Sequence, residues 1–203
     1  EGIELRQAGI KSPIIVLTAG TDSFEQIVNY GLEPGIPNLF SLKELCSVLE
    51  KRGMRDFPVH IKLDSGMHRL GFVTEELREL EEFLKDCRYV KVKSIYSHLA
   101  AADDPSCDDF TLGQISLFKK NADSLSEAVG YRPMYHILNS AGIERFPQYQ
   151  FDMVRLGIGI YGVSAIPGNH LSPVASFKCK VLQVKNLAPG DGTIGYGRHG
   201  KIA

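Results

Sequence analysis

Side chains able to do chemistry stand where short apolar runs of this sequence give out. Lys62 and Asp64 close PVHIKLD (58–64), and His98 lies near the end of YVKVKSIYSHL (89–99). Asn139 and Ser140 close YHILNS (135–140), and Arg155, Gly157 and Ile158 lie in FDMVRLGIGIYG (151–162). Each brings its own capability. An arginine in an apolar run is a buried cation that requires a partner. A lysine buried at a strand end loses proton affinity and can act as a neutral amine. Ser140 is either an ordinary helix cap or a donor to an anion through its hydroxyl and backbone N–H. Gly157 either makes a tight turn or lets a ligand approach the backbone closely. Spacing alone leaves open a salt bridge from Arg155 to Asp152 or Glu144, a Lys62 pair with Asp64 or a glutamate, and a satisfied core role for His98.

The elements that must position these residues alternate β-branched runs with amphipathic stretches, the pattern of parallel strands joined by crossover helices. SPIIVLT (12–18) is predicted as the first strand, followed by a helix capped from Thr21, Asp22 or Ser23 and running to Tyr30. Ser41 is predicted to cap a second helix that stops at Gly53. A third begins near Thr74, where Leu77, Leu80, Phe83 and Leu84 keep helical spacing, and the longest covers 110–129. The four runs named first are predicted strands. In a β/α barrel the C-terminal strand ends share one rim, so residues distant in sequence meet in one site. Roughly five or six strands can be counted against the eight of a closed barrel. The expected fold is therefore α/β: an incomplete parallel (β/α)8 barrel of the TIM type over 1–166, with the missing strands mainly before Glu1. Residues 167–203 read as the start of a β-rich domain, with long antiparallel strands from 172 and a turn at Pro189-Gly190. Glu1 falls inside a helical pattern and Ala203 carries no stop signal, so both ends read as cuts.

Composition narrows the function. The 203 residues are 43% hydrophobic and 23% charged, ordinary for a globular chain. A formal net charge of −1 offers no electrostatic footprint for nucleic acid or an anionic membrane, and a small neutral or zwitterionic partner fits better. Cys46, Cys87, Cys107 and Cys179 form no Cys-x-x-Cys pair, which suggests reduced thiols rather than a zinc ribbon or a disulfide framework. No run approaches the ~20 apolar residues that span a bilayer, and the expected location is cytoplasmic.

VHIKLDSGMHRLGF (59–72), YSHLAAAD (96–103), HILNSAG (136–142), DMVRLGIGIYG (152–162) and TIGYG (193–197) occur in the order found in alanine racemases. With ELRQAGI (4–10), the chain resembles that family nearly throughout. HRLGF and GYGR are similar in particular to racemase domains fused to the ligase that adds D-Ala-D-Ala to the cell-wall precursor. The resemblance implies an isomerase that interconverts L- and D-alanine for peptidoglycan supply, using pyridoxal 5'-phosphate and two bases, and working as a homodimer. It implies no metal.

Roles follow from the same resemblance. Ser140, Gly157 and Ile158 would hold the phosphate, and Arg155 would face the pyridine nitrogen and keep it unprotonated. That restrains electron withdrawal, so a proton returns to Cα and racemisation prevails over transamination. His98 would position Arg155, and Asn139 would support the ring. Lys62 matches a lysine that many members carry carbamylated, an anion orienting Arg69 toward the cofactor's phenolic oxygen and the substrate carboxylate. Tyr196 matches the base contributed to the other subunit's site. The second base would be a Schiff-base lysine in a motif like AVVKANAYGHG, and no lysine of this sequence lies in such a setting. The piece by itself is therefore expected to be inactive. Two further readings share the barrel. One is a non-catalytic pyridoxal-phosphate carrier, against which the β-rich residues argue, and the other a racemase of serine or another small amino acid. A zinc hydrolase using His60, His98 and His136 lacks a His-x-His pair.

Overall fold

The computed structural model describes residues 1–169, 171–194, 200 and 201. They fall into two units, Glu1–Pro173 and Val174–Ala203.

In the first unit, helix α1 (Gly2–Gln7) leads to five strands: β1 (Ile15–Val16), β2 (Glu33–Ile36), β3 (Phe57–Lys62), β4 (Val90–Tyr96) and β5 (Met134–His136). They lie side by side in chain order, and every neighbouring pair is parallel. Parallel neighbours need crossovers, which are made by α2 (Phe24–Asn29), α3 (Leu39–Lys51), α4 (Leu77–Asp86) and α5 (Asp108–Val129); α6 (Ser140–Arg145) follows β5.

The core sits between sheet and helices. Val59, Ile61, Val92 and Ile95 of the strands join Leu42, Leu45 and Leu49 of α3, Leu80 of α4, and Phe118 and Leu125 of α5, all buried. Each such side chain contributes about 1.5–3 kcal/mol on leaving water. Helix α5 buries Thr111, Gln114, Ile115, Phe118, Asn121, Ala122 and Leu125, a single face at three- and four-residue spacing, and Gly130 ends it in the left-handed conformation at φ 76°.

One irregularity decides which side chains face the strand ends. Val59 pairs with Val92, but His60 pairs with Ser94, so Lys93 is skipped. The bulge swaps the faces of β4. Val92 packs outward against the core, whereas Ser94 lies beside His60 and Tyr96 beside Lys62 on the inner face.

The structure corrects several element readings. β2 was not expected: it is four residues long and holds Pro34 and Gly35, both poor strand formers. Gly35 is required there, because a Cβ would meet the Tyr96 hydroxyl oxygen at 2.5 Å. SPIIVLT contributes two strand residues only. Asn38, not Ser41, caps α3; its side chain accepts from the Ser41 N–H at 2.8 Å, and Ser41 is buried in the first turn. FDMVRLGIGIYG is no strand. Its backbone bonds β5 and the segment after it twice, from Asp152 N–H to the Tyr135 carbonyl and from Arg155 N–H to that of Leu138, and then tightens into a 3₁₀ turn over Ile158–Tyr161. In the second unit the described residues hold one antiparallel pair, Thr193–Ile194 with Gly200–Lys201, and none of the long strands expected from 172. Phe177 and Leu182 are almost fully exposed, so these apolar side chains have no face to bury against among the described residues.

Candidate active site

The C-terminal ends of β3, β4 and β5 open onto a cavity of about 640 Å³. Lys62, Arg69, His98, Asn139, Ser140, Arg155, Gly157 and Ile158 all line it, with Tyr96, Thr18, Asp103 and Ser164. Asp64, singled out with Lys62 in the sequence, does not line it, and Tyr196 lies outside the described residues.

Arg155 is the electrostatic centre. Its guanidinium donates to Nδ1 and the carbonyl of His136 and to the carbonyls of Ser97 and Ile137, and it stands 3.4 Å from Nδ1 of His98. Neither carboxylate considered from spacing reaches it. Asp152 is taken by Arg132 at 2.9 Å and by the Tyr135 N–H at 2.8 Å, while Glu144 binds Ser164, Ala165 and Asn169. Burial lowers the Arg155 pKa to about 10, so it remains a cation at neutral pH.

That contact fixes a chain of hydrogen bonds through the inner face of the sheet. His136 must present a lone pair at Nδ1, so its Nε2–H donates to the Ser94 hydroxyl at 2.8 Å. Ser94 then donates to Nδ1 of His60 at 2.6 Å, and the His60 Nε2–H donates to the Glu33 carboxylate at 2.9 Å. This assignment of tautomers satisfies every group in the chain. Both imidazoles are neutral: burial, then the Arg155 charge, pushes His136 down to about 3, and burial outweighs Glu33 in lowering His60. With both ring nitrogens of each engaged, His60 and His136 are not arranged as zinc ligands.

The Tyr96 ring stacks on His136, with centroids 5.1 Å apart and planes 2° from parallel. Its face receives Arg155 at 5.4 Å and Lys62 at 5.7 Å, attractive placements for cations. Its hydroxyl donates to the Leu17 carbonyl at 3.2 Å, and burial raises the phenol to about 12.

Lys62 has no carboxylate within ion-pair distance among the described residues. Asp64 instead accepts from the backbone of Gly66 and His68. Burial first, then the charges of Arg69 and Arg155, lowers the Lys62 pKa. Arg69 reaches the cavity because the chain folds back on β3: Phe72 N–H donates to the Lys62 carbonyl and Asp64 N–H to that of Phe72. Gly71 makes this return possible. It has φ 121°, and a Cβ there would lie 2.7 Å from the carbonyl carbon of Leu63.

His98 is held from behind. Gln114 of α5 accepts from Ala100 N–H and donates to the His98 carbonyl, and burial with the Arg155 charge lowers the imidazole to about 4. Both ends of the Asn139 amide serve the backbone, accepting from Gly142 N–H to cap α6 and donating to the Leu99 carbonyl. Ser140 is no cap: its hydroxyl oxygen accepts from Gly157 N–H at 2.9 Å and Gly159 N–H at 3.0 Å. Its own proton is left to donate into the cavity.

Sequence reasoning passed over Tyr96, Ser94 and Glu33, and weighed His60 and His136 only as metal ligands. A signal was present. His60 with Lys62 and Ser94 with Tyr96 each keep the period of two that puts polar residues on one face of a strand.

Residues 1–165 match the model of the alanine racemase N-terminal domain. An alanine racemase of Synechocystis sp. is 36% identical over 97% of this chain and 54% of that protein. Among solved structures, alanine racemase of Clostridium difficile 630 in complex with cycloserine is 31% identical, with a TM-score of 0.73 over 84% of this chain and 46% of that one. Alanine racemase of Bartonella henselae with covalently bound pyridoxal phosphate is 26% identical, with a TM-score of 0.70 over 85% of this chain and 48% of that one. The chain spans about half the length of the curated relatives it matches.

Proposed function

Since the chain belongs to the alanine racemase family, we propose that the protein carrying it interconverts L- and D-alanine with pyridoxal 5'-phosphate, and that the cavity at the strand ends is this chain's share of the active site. The observation that carries the reading is Arg155, a buried cation that has no carboxylate partner among the described residues and whose acceptors are neutral imidazoles and carbonyls. Its charge is left to act on whatever enters.

The residues present fit the cofactor. A cavity of about 640 Å³ lies within the usual range for small-molecule sites, roughly 300–1,000 Å³. The Ser140 hydroxyl, whose oxygen is engaged by the Gly157 and Gly159 N–H groups, has its own proton left to donate to a phosphate, and the absence of a Cβ at Gly157 lets an anion approach the cavity wall there. When bound, pyridoxal phosphate supplies the electron sink that acidifies the Cα–H of an amino acid.

The chain's own residues do the rest. Arg155, oriented by His136 and His98, would set a cation against the ring nitrogen of the bound cofactor and so would limit the sink, favouring proton return to Cα. Lys62, short of proton affinity and with no carboxylate at ion-pair distance among the described residues, is suited to carbamylation; as an anion it would hold Arg69 toward the substrate carboxylate. Asn139 acts indirectly, by shaping the turn that presents Ser140. Tyr196 is assigned as one of the two bases, given to the partner subunit's site in a homodimer. The product would serve peptidoglycan synthesis in the cytoplasm. Chiral chromatography tests the function: the full-length protein with pyridoxal phosphate turns either pure enantiomer of alanine into a mixture of both, and alanine that stays enantiopure overturns the reading.

A further inference from the structure

Away from the cavity, two thiols face each other. Cys46 is buried on α3, Cys87 ends α4, and their Sγ atoms lie 3.5 Å apart although 41 residues separate them in sequence. They border a second cavity, of about 450 Å³, whose other walls include Lys43, Glu50, Phe83 and Tyr89, so a small reagent can reach the pair from solvent. No residue of this cavity lines the candidate active site. Among the described residues no third His, Cys, Asp or Glu completes a metal-holding group with them.

A disulfide needs its sulfurs at about 2.05 Å, so roughly 1.5 Å must close, a change that small side-chain rotations can supply. The pair is also chemically unequal. The Cys46 side chain and the nearby backbone N–H groups of Tyr89 and Val90 favour the Cys87 thiolate, whereas the neighbouring Cys87 and burial push the Cys46 thiol up. The thiolate is the reactive form.

We propose that Cys46 and Cys87 form a dithiol modification site that low-molecular-weight disulfides of the glutathione type oxidise to an intramolecular disulfide, with Cys87 the attacking and Cys46 the resolving thiol. The Cys87 thiolate attacks one sulfur of the reagent, forming a mixed disulfide and releasing one thiolate. Cys46 then loses its proton to solvent and attacks the Cys87 sulfur, expelling the second thiolate. Two protein thiols are oxidised to one disulfide, and one reagent disulfide is reduced to two thiols. The bond staples α3 to the end of α4, away from the strand ends that open on the active-site cavity.

The test treats full-length protein with oxidised glutathione in a Cys107→Ser, Cys179→Ser background, followed by thiol titration and intact mass. Both remaining thiols of this chain disappear, the mass falls by two hydrogen atoms with no glutathione retained, a tryptic map joins the Cys46 and Cys87 peptides, and dithiothreitol reverses the change. With Cys46→Ser added, glutathione instead stays on Cys87 as a stable adduct. A lasting adduct on Cys87 while Cys46 is present, or thiols that remain unreacted, overturns the proposal. Racemase activity plays no part in this readout, so failure here and failure of the proposed function are separable.

Discussion

Arg155 gives its hydrogen bond to Nδ1 of His136, so a cation is held by a neutral base rather than by a carboxylate. The arrangement is pH-sensitive. His136 and His98 are lowered to about 3 and about 4 from 6.5, so below pH 6.5 the unfolded chain takes up protons that the native chain refuses. The stability they contribute is complete above that value and is lost as pH falls through this window, at no more than about 1.4 kcal/mol per pH unit for each histidine. Urea unfolding of the full-length protein at several pH values therefore loses free energy on acidification, and His136→Gln removes about one proton from the slope. An unaltered slope in that variant contradicts the neutral assignment.

If Arg155 faces the ring nitrogen of the cofactor, as proposed, the sign of its charge sets the reaction outcome. Arg155→Glu replaces a permanent cation by a group that can share a proton with the ring nitrogen, which strengthens electron withdrawal. Racemisation falls by about 100-fold or more, and pyridoxamine phosphate accumulates during turnover. Its absence from chromatograms of the released cofactor counts against the electronic role.

At Gly71 the constraint is steric. A Cβ would sit 2.7 Å from backbone at a φ that side chains rarely adopt, so Gly71→Ala costs about 2 kcal/mol or more of stability. It also displaces Arg69, and the Michaelis constant for alanine rises further than loss of folded protein explains. Denaturant titration together with kinetics corrected for folded fraction checks both parts.

Much of this site was legible because a parallel barrel gathers strand ends, and strand ends can be read from where apolar runs stop. Lys62, His98 and Ser140 were found that way; Arg155 lines the same cavity from a segment that was read as a strand and is none. What escaped was what depends on partners distant in sequence. The skip at Lys93 that turns Ser94 toward His60 leaves no mark in YVKVKSIYSHL. Glu33 stands in a four-residue strand containing proline and glycine, where propensity argues against a strand and the close approach of the Tyr96 hydroxyl and the Leu17 carbonyl explains the glycine. The sequence offered Ser140 as the cap, and the geometry gives that role to Asn139: its amide closes the turn, while the Ser140 hydroxyl gathers two glycine N–H groups.

Tyr196→Phe removes the phenolic oxygen assigned as a base. Turnover of L-alanine drops by about 100-fold or more, with cofactor affinity nearly unchanged. Unchanged turnover takes Tyr196 out of the mechanism.

Titration of pyridoxal phosphate into the full-length apoprotein tests whether the strand-end cavity holds the cofactor by its phosphate. The expected result is saturation at one cofactor per chain, an absorbance band near the visible edge that borohydride abolishes, and affinity about 10-fold weaker in Ser140→Ala. Saturation with the same affinity in that variant, or no saturable band in the parent protein, contradicts it.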